Sequence, residues 1–108
     1  MRVLFDQGAP VPLRDSLQDQ HEVSTAYELG WATLTNGALI ERAEQAGYDV
    51  LVTTDSNLRQ HQNLAKSRLG FVVLRTTSWP RIRRATESIL SAVATAAPGS
   101  YFEVEIPL

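Results

Sequence analysis

The chain contains no cysteine. That single absence excludes disulfide frameworks, thiolate zinc sites, iron–sulfur clusters and cysteine nucleophiles. Histidine is scarce. His21 and His61 are the only two, too few for a three-histidine metal site, and neither stands in a serine/aspartate or metal-ligand pattern. The six glycines are scattered, so no phosphate-cradling glycine loop is formed. No apolar run approaches the ~18 residues of a membrane span. The opening MRVLFD is strand-like and lacks a signal-peptide layout, so a soluble, cytoplasmic protein is expected.

What is present is an ordinary globular composition, 44% hydrophobic and 20% charged over 108 residues. One domain spanning residues 1–108 is expected, large enough to bury roughly 60–65% of its unfolded surface. The charge is unevenly spread. Residues 1–55 hold three arginines (Arg2, Arg14, Arg42) against nine acids, whereas residues 56–108 hold seven basic residues against three acids. All seven basics fall between Arg59 and Arg84 with no acid among them. Such asymmetry fits either a solvated surface with internal pairing or metal-binding carboxylates beside a phosphate-attracting surface.

Strand and helix signals alternate along the chain. RVLFD (2–6) is a short buried strand ending in an acid, and Pro12 opens a helix to about Gln18. HEVSTA (21–26) is a weaker strand, and 27–35 is ambiguous. Asn36 is a candidate N-cap for a helix carrying Leu39, Ile40, Ala43 and Ala46 on one face, closed by Gly47. YDVLVTT (48–54) carries the β-branched run of a strand covered on both faces and is followed by Asp55. Asp55 or Ser56 caps a helix to about Arg68, and FVVL (71–74) is another buried strand. Trp79-Pro80 begins a long helix with Ile82, Ile89, Val93 and Ala96 as its stripe, and Pro98-Gly99 stops it. YFEVEI (101–106) alternates like a half-exposed edge strand, with Phe102, Val104 and Ile106 on one side. The order predicts an α/β fold, a three-layer α/β/α sandwich with a mostly parallel sheet.

In open parallel sheets, ligands bind beyond the carboxyl ends of the strands, where the strand order reverses. Asp6 leaves the first strand there, Glu28 follows the second, Thr53-Thr54-Asp55 leaves the third and Arg75-Thr76-Thr77 the fourth. If the first and third strands are neighbours, ~4.8 Å apart, Asp6 and Asp55 emerge side by side. Two anions so placed repel unless a cation stands between them or one takes a proton. Oxygen-only ligands suit Mg²⁺ or Mn²⁺, which can polarise a phosphodiester and activate water for in-line attack. Either aspartate alone would pass for a turn or capping residue; two on one sheet edge favour function.

Glu28, in AYELGW, is either a third ligand or a surface acid. Asn57 either bonds a bound water or faces solvent. Arg75 either contacts phosphate or makes an ion pair. Arg81, Arg83 and Arg84 open a helix where positive charge opposes the dipole, which points to a functional role or ion pairing. Trp31 and Trp79 are assigned to packing.

LFDQGAP, AYELGW, NGALIERAEQAGYDVLVTTDSNL and FVVLR, taken in this order, resemble the compact PIN-like domains of bacteria and archaea, small relatives of the VapC-type ribonuclease toxins. The resemblance covers nearly the whole chain. It is most specific at the Asp6 strand and at LVTTDSNL, where the family's forms are LFDxNLP and LVTxDxDF. It implies an Mg²⁺- or Mn²⁺-dependent ribonuclease site with Asp6 and Asp55 as metal ligands and Glu28 where relatives often carry an acid. It also implies a toxin role, a small DNA-binding antitoxin as partner, and a homodimer, for which the Trp79–Ala97 helix is the candidate interface. Two positions depart from the family: the acid before the helix is Asn36, and the second acid of the later motif is Asn57. Amides bind metal more weakly than carboxylates and supply no general base, so the site is either specialised, with Asn36 and Asn57 orienting water, or silent.

Three functions are therefore weighed. The first is a metal-dependent endoribonuclease. The second is an inactive PIN-like module binding RNA or a protein. The third is a phospho-acceptor signalling domain using Asp55, disfavoured because that chemistry calls for a lysine after the fifth strand and the single lysine, Lys66, precedes the fourth.

Overall fold

The computed structural model describes residues 1–107, leaving aside the side chain of His61. Five strands, β1 (Arg2–Phe5), β2 (Glu22–Thr25), β3 (Val50–Thr53), β4 (Gly70–Leu74) and β5 (Tyr101–Val104), form one sheet in the order β2-β1-β3-β4-β5. Every pairing is parallel. Between them run α1 (Arg14–Leu17), α2 (Asn36–Gln45), α3 (Leu58–His61), α4 (Trp79–Arg84) and α5 (Thr86–Thr95), with 3₁₀ turns at Val11–Leu13 and Leu64–Lys66. The expected α/β class and parallel sheet are present. Among the described residues no helix is long and apolar enough to cross a membrane.

Strand side chains alternate between faces, so the sheet carries two cores. Val3, Phe5, Val52, Val72, Leu74 and Val104 pack with Leu13, Leu17, Ile82, Ile89 and Val93 on one face. Leu4, Leu51 and Phe71 pack with Leu39, Ile40, Ala43, Leu58 and Leu64 on the other. Helices thus cover both faces, which is why every residue of β3 and β4 is buried. Each fully buried Leu, Val or Phe contributes ~1.5–3 kcal/mol relative to exposure.

Several local expectations are corrected. The N-cap of α2 is Thr35, whose hydroxyl accepts from the Ala38 N–H at 3.3 Å, so Asn36 becomes the first helical residue and its amide is free to act elsewhere. Gly47 ends α2 as expected: it sits at φ +82°, and the N–H groups of Gly47 and Tyr48 bond back to Glu44 and Ala43. The helix expected over 55–68 shrinks to α3 and a 3₁₀ turn. Its buried apolar residues, Leu58 and Leu64, lie six apart, off the helical repeat, and Gln62 is extended between them. The long helix expected from Trp79 breaks at Ala85 (φ −106°, ψ 17°), where the Thr86 hydroxyl donates to the Arg83 carbonyl at 2.8 Å. Its stripe of Ile82, Ile89 and Val93 is fully buried against the sheet, so that stripe is not free to serve as a dimer face. In β5, Val104 and Ile106 are buried but Phe102 is 54% exposed, because Ser91, Ala92 and Thr95 beside it are too small to cover the ring.

Candidate functional site

The strand order reverses between β1 and β3. From β1 the chain passes outward to β2, and from β3 it passes the other way to β4 and β5. The crevice at the carboxyl ends of β1 and β3 is therefore the place where a ligand meets both halves of the sheet. Phe5 is in register with Val52, so Asp6 and Thr53 leave the sheet side by side. The Asp6 N–H donates to the Val52 carbonyl at 3.0 Å.

The two aspartates meet through Thr53. Its hydroxyl donates to Asp6 Oδ2 and accepts from the Asp55 N–H at 3.1 Å. Each carboxylate is then fixed by its own loop. Asp6 Oδ1 accepts from the Gly8 N–H at 2.9 Å, and Asp55 Oδ1 accepts from the Asn57 N–H at 2.9 Å. Asp55 Oδ2 accepts from the Asn36 side-chain amide at 2.8 Å. A Cβ at position 8 would stand 2.2 Å from Thr54 Oγ1, so a side chain there would force Thr54 to shift where the loops after β1 and β3 touch.

Burial raises the Asp6 carboxyl above its ordinary pKa, and the negative charge of Asp55 pushes the same way. The bonds from Thr53 and Gly8 oppose this without cancelling it. Among the described residues, no basic side chain lies within ion-pairing distance of Asp6 or Asp55. An electron-rich pair of carboxylates with an amide beside it fits a hydrated Mg²⁺ or Mn²⁺. Such ions are held by one or two carboxylates and keep several waters, some of which substrate phosphate oxygens replace. Asp6 and Asp55 would be the holders. Among the described residues no three His, Cys, Asp or Glu side chains gather as a metal-holding group.

Glu28 does not join that pair. Its carboxylate accepts from both guanidinium ends of Arg14 and from the Thr25 N–H at 2.9 Å, and Arg14 chiefly holds its pKa below the usual range. Arg75 is ion-paired with Glu103 at 2.7 Å. Arg81 donates to the carbonyls of Ile106 and Pro107, anchoring the tail, whereas Arg83 and Arg84 are exposed. The side chain of Asn57 is also exposed; its contribution to Asp55 is the backbone N–H. Trp31 packs edge-on against Tyr48 with ring centres 6.2 Å apart, and Trp79 lies against the first core. Lys66 lies in the 3₁₀ turn that leads into β4, away from the strand exits that carry Asp6 and Asp55. The side chain of His61 lies outside the described residues.

Sequence reasoning named Thr53 as a strand exit but gave it no role. Its signal was there: a hydroxyl at the last position of a strand next to an aspartate-terminated one. Gly8 and Arg14 were also missed, since both act through contacts distant along the chain. Compared with protein-family models, curated proteins and solved structures, the chain matches none.

Proposed function

We propose that the chain is a metal-dependent endoribonuclease of the PIN-like kind, acting in the cytoplasm as the toxin of a toxin–antitoxin pair, with a small DNA-binding antitoxin as its protein partner. The observation that carries this reading is the joining of Asp6 and Asp55 by Thr53 at the switch point of the sheet, with no cation among the described residues to answer them. Mg²⁺ or Mn²⁺ held there would supply Lewis-acid polarisation of a phosphodiester oxygen. The chain's residues do the positioning. Asn36 fixes the outer oxygen of Asp55, the Asn57 N–H fixes the other, and Thr53 and Gly8 fix Asp6. The exposed Arg83 and Arg84 are the better candidates for the RNA backbone, since Arg75 and Arg81 are already bonded.

The second reading, a silent PIN-like module that binds RNA or a protein, is favoured by one feature. Both positions flanking Asp55 are amides, so neither Asn36 nor Asn57 can take a proton from water. The test is cleavage of a mixed structured RNA pool by purified protein in Mn²⁺ and in EDTA, with Asp55→Asn alongside. Cutting in Mn²⁺ that disappears in EDTA and in a folded Asp55→Asn variant is expected. A variant cutting at the wild-type rate would remove the site. RNA binding without metal and without cleavage, by protein freed of any partner, would establish the silent module.

A further inference from the structure

We infer that the hollow beside Asp6 seats a nucleobase, next to the phosphate held at Asp6 and Asp55. The phosphate's position rests on the nuclease reading; the base pocket stands on separate observations.

The loop after β1, the 3₁₀ turn Val11–Leu13 and the turn after β2 enclose a cavity of ≈ 350 Å³ lined by Asp6, Ala9, Val11, Arg14, Tyr27 and Glu28. That volume falls at the small end of the ~300–1,000 Å³ typical of ligand sites. Of the five large hydrophobic side chains exposed among the described residues, two line it, Val11 at 58% and Tyr27 at 79%, and a third, Leu29 at 37%, belongs to the same turn as Tyr27. Apolar groups gathered around a concavity mark a binding surface more than scattered ones do. Tyr27 also differs from the aromatic four residues on: Trp31 is packed on Tyr48, whereas the Tyr27 ring meets solvent.

The polar side of the hollow is the Arg14–Glu28 pair, joined by two parallel bonds and fixed by the Thr25 N–H. It sets donors and acceptors next to each other: Arg14 keeps unpaired N–H groups, and Glu28 keeps a lone pair. A nucleobase presents the same combination, a flat apolar face and an edge carrying both donors and acceptors. A base already paired in a helix offers neither its face nor that edge, so it must be splayed out to enter. Asp6 lines the cavity and is also bonded to Thr53, so a nucleotide seated there brings its backbone to the aspartate pair.

The test titrates EDTA-treated protein with adenosine, guanosine, cytidine and uridine, following the Ala9 and Val11 methyl and Tyr27 ring resonances by NMR. At least one nucleoside should give saturable shifts there. Tyr27→Phe should keep them, and Tyr27→Ala, at an exposed position, should weaken binding on the order of tenfold while the fold persists. No saturable shift with any nucleoside, or unchanged binding in Tyr27→Ala, overturns the pocket. Nucleoside shifts without cleavage keep the pocket and remove the nuclease. Asp55-dependent cleavage without nucleoside shifts does the reverse.

Discussion

The sheet carries carboxylates in two places and treats them in opposite ways. On β5, Glu103 accepts from Arg75 and from the Tyr101 hydroxyl, each at 2.7 Å, and the Arg59 guanidinium lies 4.5 Å from the centre of the Tyr101 ring. Beyond β1 and β3, Asp6 and Asp55 receive neutral donors only, from Thr53, Gly8, Asn36 and Asn57. The first cluster neutralises itself and holds the edge strand. The second leaves a partly buried negative pair uncompensated, and Asp6 shows the cost in its raised proton affinity. Perturbed carboxylates of this kind gather at functional sites, which is the ground for the metal-dependent reading proposed above.

The largest effect that would sharpen this contrast is expected from Asp6→Asn. Cleavage should fall by roughly 100-fold or more, as metal sites lose 10–100-fold even from partners that do not touch the ion. Stability should move the other way. The folded-state pKa of Asp6 is raised, so its ionised form weakens the fold increasingly as pH rises from the unfolded value through the folded one. In EDTA, Asp6→Asn should therefore melt higher than wild type at neutral pH, and the gap should close in acid. Equal melting temperatures at neutral pH would show that the pair carries no strain.

Thr53→Val comes next. It keeps the side-chain shape, removes a donor to Asp6 and leaves the Asp55 N–H without its acceptor. Leaving such a group unpaired costs ~1–3 kcal/mol, measurable as a shift in urea midpoint. The Asp6 pKa should rise further, since the Thr53 bond opposes its elevation. A carboxyl titration by NMR that does not move would break the argument that Thr53 joins the two aspartates. A smaller effect tests the basic side: Arg83→Gln with Arg84→Gln should reduce the slope of log K against log salt for single-stranded RNA by about 1.4. The already paired Arg75, changed to Gln, should reduce it less.

The frame of this site was legible because its signals are local. Val50-Leu51-Val52 followed by Asp55, and Val3-Leu4-Phe5 followed by Asp6, give buried strands with acids at their carboxyl ends from periodicity alone, and the alternation with helices places them in one parallel sheet. What stayed hidden depends on contacts distant in sequence or on single-residue shifts. Thr35 and Asn36 are both good caps, and which one takes the Ala38 N–H decides whether Asn36 can reach Asp55, 19 residues on. Glu28 follows β2 as a free acid would, and nothing near it in sequence shows that Arg14, on α1, holds its carboxylate. The break at Ala85 was hidden by a stripe that continues through it, since Ile82 and Ile89 keep helical spacing across both short helices.

The smallest expected effect lies in the neutralised cluster. The bond from Tyr101, and then Arg75, hold the Glu103 pKa below its ordinary value, so its stabilisation is present above that value and fades as pH falls through the depressed one. Glu103 is exposed enough for water to screen most of the pairing, so Glu103→Gln should lower the urea midpoint only slightly at neutral pH and not at all in acid. The sign is opposite to that of Asp6→Asn, although both gaps close in acid. At the alkaline end, burial and Glu103 push the Tyr101 hydroxyl up to about 12, so the neutral ring supports the fold below about 10 and that support is lost as pH rises through 12. Removing Glu103 should bring the Tyr101 titration down, which absorbance near 295 nm, roughly the tyrosinate band, would follow. If Glu103→Gln instead raised stability at neutral pH, the two clusters would be alike, and an unanswered charge would cease to distinguish the Asp6–Asp55 edge from the rest of the surface.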